Sequence, residues 1–513
     1  MNQSKKVITL ILLVSSIQLL LSVFSKEFIG QYPYFKNVNL LSDILVKEKA
    51  KKGVAKTKGI GNAISEDSLP KNEFETYEKK DALIRFNADT VAPALPKLTE
   101  KLIALTEGKK VKIRIAWFGD SQIEGDFITQ DVREQLQNYF GQQKGVGYVP
   151  ISCVSSDFRR TAKVFTTGEV NVDNFKKQEH NGGIFLSGYS FYSNNLEVDF
   201  RDNVKKSSSQ ITQKWLLYGK GDSISVKIND SVRKYPANSE FNRVLVGSGV
   251  SNKAKFTVSA KRTPIFGVSS EPQSGIVLDN YSFRGISGVE LKKINSDLLA
   301  EISRSGYYDL IVFQYGVNLM FQPNDTNYDY YYRGMRPVLK KFQNNMPNTE
   351  FLLFSCSDRA FNYDGEWKTA VGIDSLIRTQ ARLAYDTNTP FYNFYKSIGG
   401  SGTIVKWADS TVQYANKDYI HFNFRGAKAV SKIIFKALLH DYQKGVLLKK
   451  GGKPIVVPAV VVPKTIIKET IQVKKDTPKP ASPKVEVLKP KVVKEIVPKE
   501  VIPKPPVIKG DSI

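Results

Sequence analysis

A chain of 513 residues, 41% hydrophobic and 24% charged, has the composition of a folded protein of several domains. That excludes a wholly disordered chain, a collagen-like repeat and a polytopic membrane protein. Lysine and arginine outnumber aspartate and glutamate by 75 to 50, and the net charge of +25 favours an acidic partner: nucleic acid, anionic lipid or anionic wall polymer.

Lys5 and Lys6 precede an apolar run over 7–24. A basic flank before an apolar stretch is an export signal. The run is about as short as a spanning helix can be. Val23-Phe24-Ser25 makes a poor cleavage site, so 1–25 reads as a signal peptide or, in preference, a retained anchor with its cationic end inside. The remainder then lies outside the cytoplasmic membrane, periplasmic or extracytoplasmic, and nucleic acid drops out as the partner.

Residues 26–85 are polar and lysine-rich, a stalk or linker. Apolar residues recur at helical spacing over 90–107, and KIRIAWF (112–118) reads as a buried strand ending at Gly119-Asp120-Ser121. A helix over 128–140 completes a strand–turn–helix unit within 86–150. Over 151–279 the segments become short and β-rich with Gly, Asn, Asp and Ser turns, the spacing of a sandwich or jelly roll. From 280 to 443 strands at 309–315, 350–355 and 390–394 alternate with helices at 328–343, 373–384 and 425–439, a parallel α/β sheet. The expected architecture is therefore an α/β domain interrupted by a β-domain. Residues 444–513 hold 16 lysines, six acids and 11 of the 23 prolines, a disordered, extended tail.

Four short constellations can carry chemistry. Ser121 follows a buried strand, so its hydroxyl belongs at the carboxyl edge of the sheet, with its N–H at a helix start. Taken alone, Gly-Asp-Ser is more often a plain helix cap. Asp418 and His421 supply a carboxylate and an imidazole three residues apart, a base and its orienter. The other histidines, His180 and His440, read as structural. Gly288, in Gly285-Ile-Ser-Gly288, and Asn318, after strand 309–315, can supply an N–H and an amide to an oxyanion, though each alone reads as a turn residue. Tyr328–Tyr332 suits either a sugar cleft or a helix face packed on the sheet. Glu124 and Asp126 suit helix-dipole complementation better than a paired-carboxylate site. Cys153 and Cys356 read as two separate thiols. No metal or cofactor motif is present.

The order Gly-Asp-Ser, Gly-Ile-Ser-Gly, a strand with Gly-x-Asn, then Asp-x-x-His before the last helix resembles the SGNH (GDSL-type) hydrolases. The resemblance covers about 85–150 and 280–443. With GVGYVP before the β-rich stretch and SIGGSGTIVKWADS before DYIHF, the chain is similar to the cell-envelope peptidoglycan and polysaccharide O-acetylesterases. It implies a three-layer flavodoxin-like sheet with a carbohydrate-binding-like insert. It also implies a nucleophile Ser121, a base His421, its partner Asp418, and a hole formed by Ser121, Gly288 (or Gly285) and Asn318. The sequence has GDSQ where many members have GDSL. The implied activity is removal of O-acetyl groups from a polysaccharide, peptidoglycan first, without a cofactor. A lipase or acyltransferase, or a non-catalytic glycan-binding envelope protein, are the alternatives. Besides the glycan, the expected partners are the membrane, through 7–24, and an anionic wall polymer, through the tail.

Overall fold

The structure, a computed structural model, describes residues 73–451 apart from 87, 89, 90, 142, 178–182 and 205–208. The expected membrane segment, most of the stalk, His180 and the tail from 452 lie outside the described residues. Among the described residues, no helix is long and apolar enough to cross a membrane.

One sheet carries the α/β part. Its six strands lie in the order Leu83–Ile84, Phe391–Tyr392, Glu350–Phe354, Leu310–Gln314, Lys112–Gly119, Gly275–Ser282. The last five run parallel, and Leu83–Ile84 is an antiparallel edge. Counted along the chain, the parallel strands take the order 2-1-3-4-5, the flavodoxin-like arrangement with its switch point between strands one and three.

The KIRIAWF run is apolar on both faces because both faces are covered. Ile113, Ile115 and Trp117 join the core built on helices Pro96–Thr106, Thr129–Leu136 and Phe424–Lys449. Phe118 points the other way. It stacks on Phe313 at 5.5 Å and meets Phe342 of helix Asp329–Asn345 edge-on at 5.7 Å.

Among the described residues the β-rich part, with Gly147–Val149, forms nine strands. Their hydrogen bonds make a single connected antiparallel sheet. The cause is the strand Lys253–Pro272, long enough to serve both halves. Its first part pairs with Tyr189–Asp202, and beyond a register break it pairs with Thr212–Tyr218 and Gly147–Val149. The boundaries expected at 150 and 279 move. Gly147–Val149 belongs to this second sheet, whereas Gly275–Ser282 lies in the parallel sheet beside Lys112–Gly119.

Two termini are also corrected. The edge strand Leu83–Ile84 falls inside the expected stalk. The last helix runs to Lys449, past the expected tail boundary at 444. Gly445 lies buried in it, and a Cβ there would stand 2.1 Å from Thr99, so this turn packs on helix Pro96–Thr106.

The two sheets are joined by buried charge. Arg114, the fully enclosed one of the two cations within KIRIAWF, is 3% exposed. It donates to Asp279 of the neighbouring parallel strand at 2.7 Å and pairs with Glu271 of the second sheet at 2.6 Å. Burial would raise the Glu271 carboxyl, but Arg114, Arg243 and Lys112 outweigh it and hold it well below the usual range.

Candidate active site

Ser121 stands just beyond the carboxyl end of strand Lys112–Gly119, and Asn318 beyond that of Leu310–Gln314. These are strands one and three, so both residues flank the crevice at the switch point. His421 reaches the same crevice from the turn before the last helix.

Ser121 Oγ lies 2.8 Å from His421 Nε2, and His421 Nδ1 lies 2.8 Å from Asp418 Oδ2. An ionised carboxylate only accepts, so the ring proton sits on Nδ1 and Nε2 is left to accept from the serine. The turn organises itself. Asp418 Oδ1 accepts the N–H groups of Ile420 and His421, both at 3.0 Å. Tyr419 takes a left-handed φ of 56° and its ring stacks on Trp367 at 4.1 Å. Asn423 caps the following helix, accepting from Arg425 and Gly426.

Partial burial works to raise the Asp418 carboxyl, yet its bonds to the His421 ring and to the two N–H groups bring it down to about 2. In return the hydrogen bond to Asp418 raises the His421 imidazole above its ordinary value, with burial opposing in part. A hydroxyl, an imidazole and a carboxylate in this line can pass the hydroxyl proton to the ring as the oxygen attacks an electrophilic carbon.

The segment after Ser121 departs from the expected helix. Ser121–Asp126 is a 3-10 turn, broken where Gly125 and Asp126 take φ of 68° and 72°, and the α-helix begins only at Thr129. Little helix dipole therefore acts at Ser121. Asp120 and Gln122 on either side do more. Asp120 is buried and accepts from the Gln122 N–H at 2.9 Å and from the Asn318 amide at 3.1 Å. Its burial raises the carboxyl to about 6, against the pull of the Gln122 N–H and of His421. Gln122, at the position where the sequence has Gln for Leu, donates to Ser357 at 2.5 Å and to the Ile420 carbonyl at 3.1 Å. It ties the serine turn to the histidine turn. Only its place beside Ser121 pointed to it in the sequence.

The residues expected to donate to an oxyanion are placed unevenly. The Asn318 amide faces the cavity over Ser121 but donates to Asp120 and, at 3.0 Å, to the Ile286 carbonyl. Both amide hydrogens are thus engaged, and an incoming oxyanion has to share one. Gly288 is buried, with φ 94°, and a Cβ there would meet the Tyr315 ring at 2.8 Å. It is Gly285, exposed in the same turn, that lines the cavity with Ser121, Asn318 and His421. The turn thus buries Gly288 against Tyr315 and leaves Gly285 open.

The cavity measures about 600 Å³ and is also lined by Phe158, Arg160, Lys176 and Phe424. None of these carried a motif. The tyrosine run is not part of it: Tyr328 and Tyr331 are buried, and none of the run lines the cavity. Glu124 is bonded through both oxygens to Arg284. Asp126 is a buried ion-pair centre, which corrects the helix-dipole reading of these two acids. His440 is exposed near the end of the last helix. Cys153 and Cys356 are free. Among the described residues, no group of three or more His, Cys, Asp or Glu could hold a metal ion.

No family profile and no curated protein sequence matches the chain. Solved structures do. A peptidoglycan O-acetylesterase superposes with a TM-score of 0.57 at 18% identity, over 69% of this chain and 98% of its own. An acetyl xylan esterase scores 0.24 at 18% identity, over 32% of this chain and 81% of its own. A family two carbohydrate esterase from Cellvibrio japonicus scores 0.24 at 10% identity, over 55% and 99%. The first of these likenesses shows that the chain shares the fold of that esterase.

Proposed function

We propose that this chain is a serine esterase of the cell envelope that removes O-acetyl groups from a polysaccharide, peptidoglycan first among them. The observation that carries the reading is the line Ser121 Oγ, His421 and Asp418, with 2.8 Å at each step, opening on a cavity. The shared fold with a peptidoglycan O-acetylesterase supports the choice of substrate. Export through residues 7–24 would bring the enzyme to that polymer, and the lysine-rich tail would add a weak attraction to anionic wall material.

Ser121 Oγ attacks the acetyl carbonyl carbon as its proton passes to His421 Nε2. The carbonyl oxygen becomes an oxyanion, which the Ser121 N–H, a glycine N–H of the 285–288 turn and the Asn318 amide stabilise. The intermediate expels the sugar oxygen, which takes the proton from His421 to become a hydroxyl, and an acetyl group is left on Ser121. Water, deprotonated by His421, then releases acetate.

Acetate release from O-acetylated peptidoglycan, acetylated xylan and an aryl acetate, measured side by side, tests the proposal. Release from none of them removes it, and a preference for xylan moves the substrate.

Asn318→Ala is expected to lower kcat about 10²–10³-fold with little change in KM, as for a donor used mainly in the transition state. A change in KM alone would assign Asn318 to ground-state binding.

The base must be neutral, so kcat/KM is expected to rise with pH as His421 loses its proton. Because Asp418 favours the charged ring, the midpoint lies above the ordinary imidazole value of about 6.5. Asp418→Asn removes that preference, so the midpoint moves down and the plateau falls. A pH profile whose midpoint stays put on substitution takes Asp418 out of the line.

A further inference from the structure

The cavity over Ser121 carries more positive charge than ester cleavage uses. Its lining holds three cations, Arg160, Lys176 and Arg284, against one carboxylate, Glu124. Glu124 is committed to Arg284, whose Nε lies 3.0 and 2.9 Å from its two oxygens. That pair is neutral. Arg160 and Lys176 are both exposed and, among the described residues, neither has a carboxylate partner. Aromatic rings hold them instead. The Arg160 guanidinium lies 4.6 Å from the centre of the Phe424 ring, and the Lys176 ammonium 6.0 Å from that of Phe283. A ring face steadies a cation without neutralising it.

The same lining presents two open rings, Phe158 at 65% and Phe424 at 52% exposure. An acetyl group fills only a small part of 600 Å³, and a space of that size takes a ligand of several rings. The apolar C–H face of a pyranose suits the open phenyl rings, and unneutralised cations beside them call for an anion on the same ligand. Both cations come from the β-rich stretch. Arg160 just precedes strand Ala162–Thr167, and Lys176 just follows Asn171–Asn174. The reacting groups come from the α/β part. Cleavage and choice of substrate are thus assigned to different stretches of the chain.

We propose that Arg160 and Lys176 read a carboxylate carried by the glycan close to the ester that Ser121 attacks. The inference rests on the esterase reading above and names its substrate class, an acetylated polysaccharide bearing carboxylates in preference to a neutral one.

The test uses the full chain on O-acetylated peptidoglycan strands, untreated and with their carboxylates converted to methylamides, alongside an aryl acetate. Amidation is expected to lower kcat/KM about tenfold, and the gap to narrow as salt rises, as for rim charges open to solvent. In the double variant Arg160→Gln/Lys176→Gln, the ratio of native to amidated activity is expected to fall towards one. Equal kcat/KM on the two substrates with the unaltered protein overturns the inference. So does a ratio that survives the double substitution. Activity on neither polymer nor on the aryl acetate brings down the esterase reading itself, and the inference with it.

Discussion

Ser121→Ala is expected to lower kcat about 10⁴–10⁶-fold, with the fold retained. Among the described residues, the only side-chain partner of Ser121 Oγ is His421 Nε2, and the serine is partly exposed at the edge of a cavity. Removing the oxygen empties no core and orphans no buried donor, so the unfolding transition is expected to stay in place. What is lost is the atom proposed to form the acyl bond. Residual turnover would come from the oxyanion donors and binding alone. The proposed mechanism uses the three residues as one unit, so adding His421→Ala is expected to cost little more than Ser121→Ala by itself. The checks are kcat on an aryl acetate and the thermal or urea unfolding midpoint, measured on the same preparations. Near-normal turnover by a folded Ser121→Ala protein would falsify the nucleophile assignment, and additive losses in the double variant would break the unit apart.

Asp126→Asn is expected to destabilise the fold by about 3–5 kcal/mol, the range for removing one partner of a buried ion pair. Asp126 is fully buried five residues beyond Ser121. Its Oδ1 accepts from Arg133 at 2.9 Å and Thr129 at 2.8 Å, and its Oδ2 pairs with Arg159 at 3.3 Å. Burial would raise this carboxyl, but the two guanidiniums hold it below the usual range, so it stays charged. An asparagine keeps the volume and loses the charge, leaving Arg133 and Arg159 buried without their counter-ion. Arg133 sits in the helix after Ser121, while Arg159 also donates to the Tyr148 carbonyl at 2.8 Å, in the second sheet. The pair therefore locks the β-rich stretch to the segment that carries Ser121. A urea titration reads the effect, with Glu197→Gln as control, since that change breaks an exposed pair with Lys255 and is expected to leave the midpoint in place. A midpoint as little moved by Asp126→Asn as by the control would show that the centre contributes no stability. The same buried pairs, with those of Arg114, argue that the β-rich stretch is not a removable module.

Sequence and structure divide the account of this protein along a physical line. Local pattern determined the α/β elements. KIRIAWF is apolar at every position but its cations, and the later strands and helices repeat at the right lengths, because burial and periodicity act within a few residues. The order of the four constellations also determined which residues to watch, since the Asp418–His421 spacing and the Gly-Asp-Ser turn are local features. Pairing across the chain was decided only by the tertiary structure. Nothing within Gly275–Ser282 says that it lies beside Lys112–Gly119, and nothing within Lys253–Pro272 says that it serves two halves of one sheet. The 300 residues between Ser121 and His421 are closed by the fold to 2.8 Å. The charges around the site follow the same rule. Glu124, Asp126, Arg159, Arg160 and Lys176 look alike in sequence as solvated polar residues. Folding buries Asp126 and Arg159 together, neutralises Glu124 with Arg284 and leaves Arg160 and Lys176 open. A charge takes its role from the desolvation and the partners it meets, and both are properties of the packed chain.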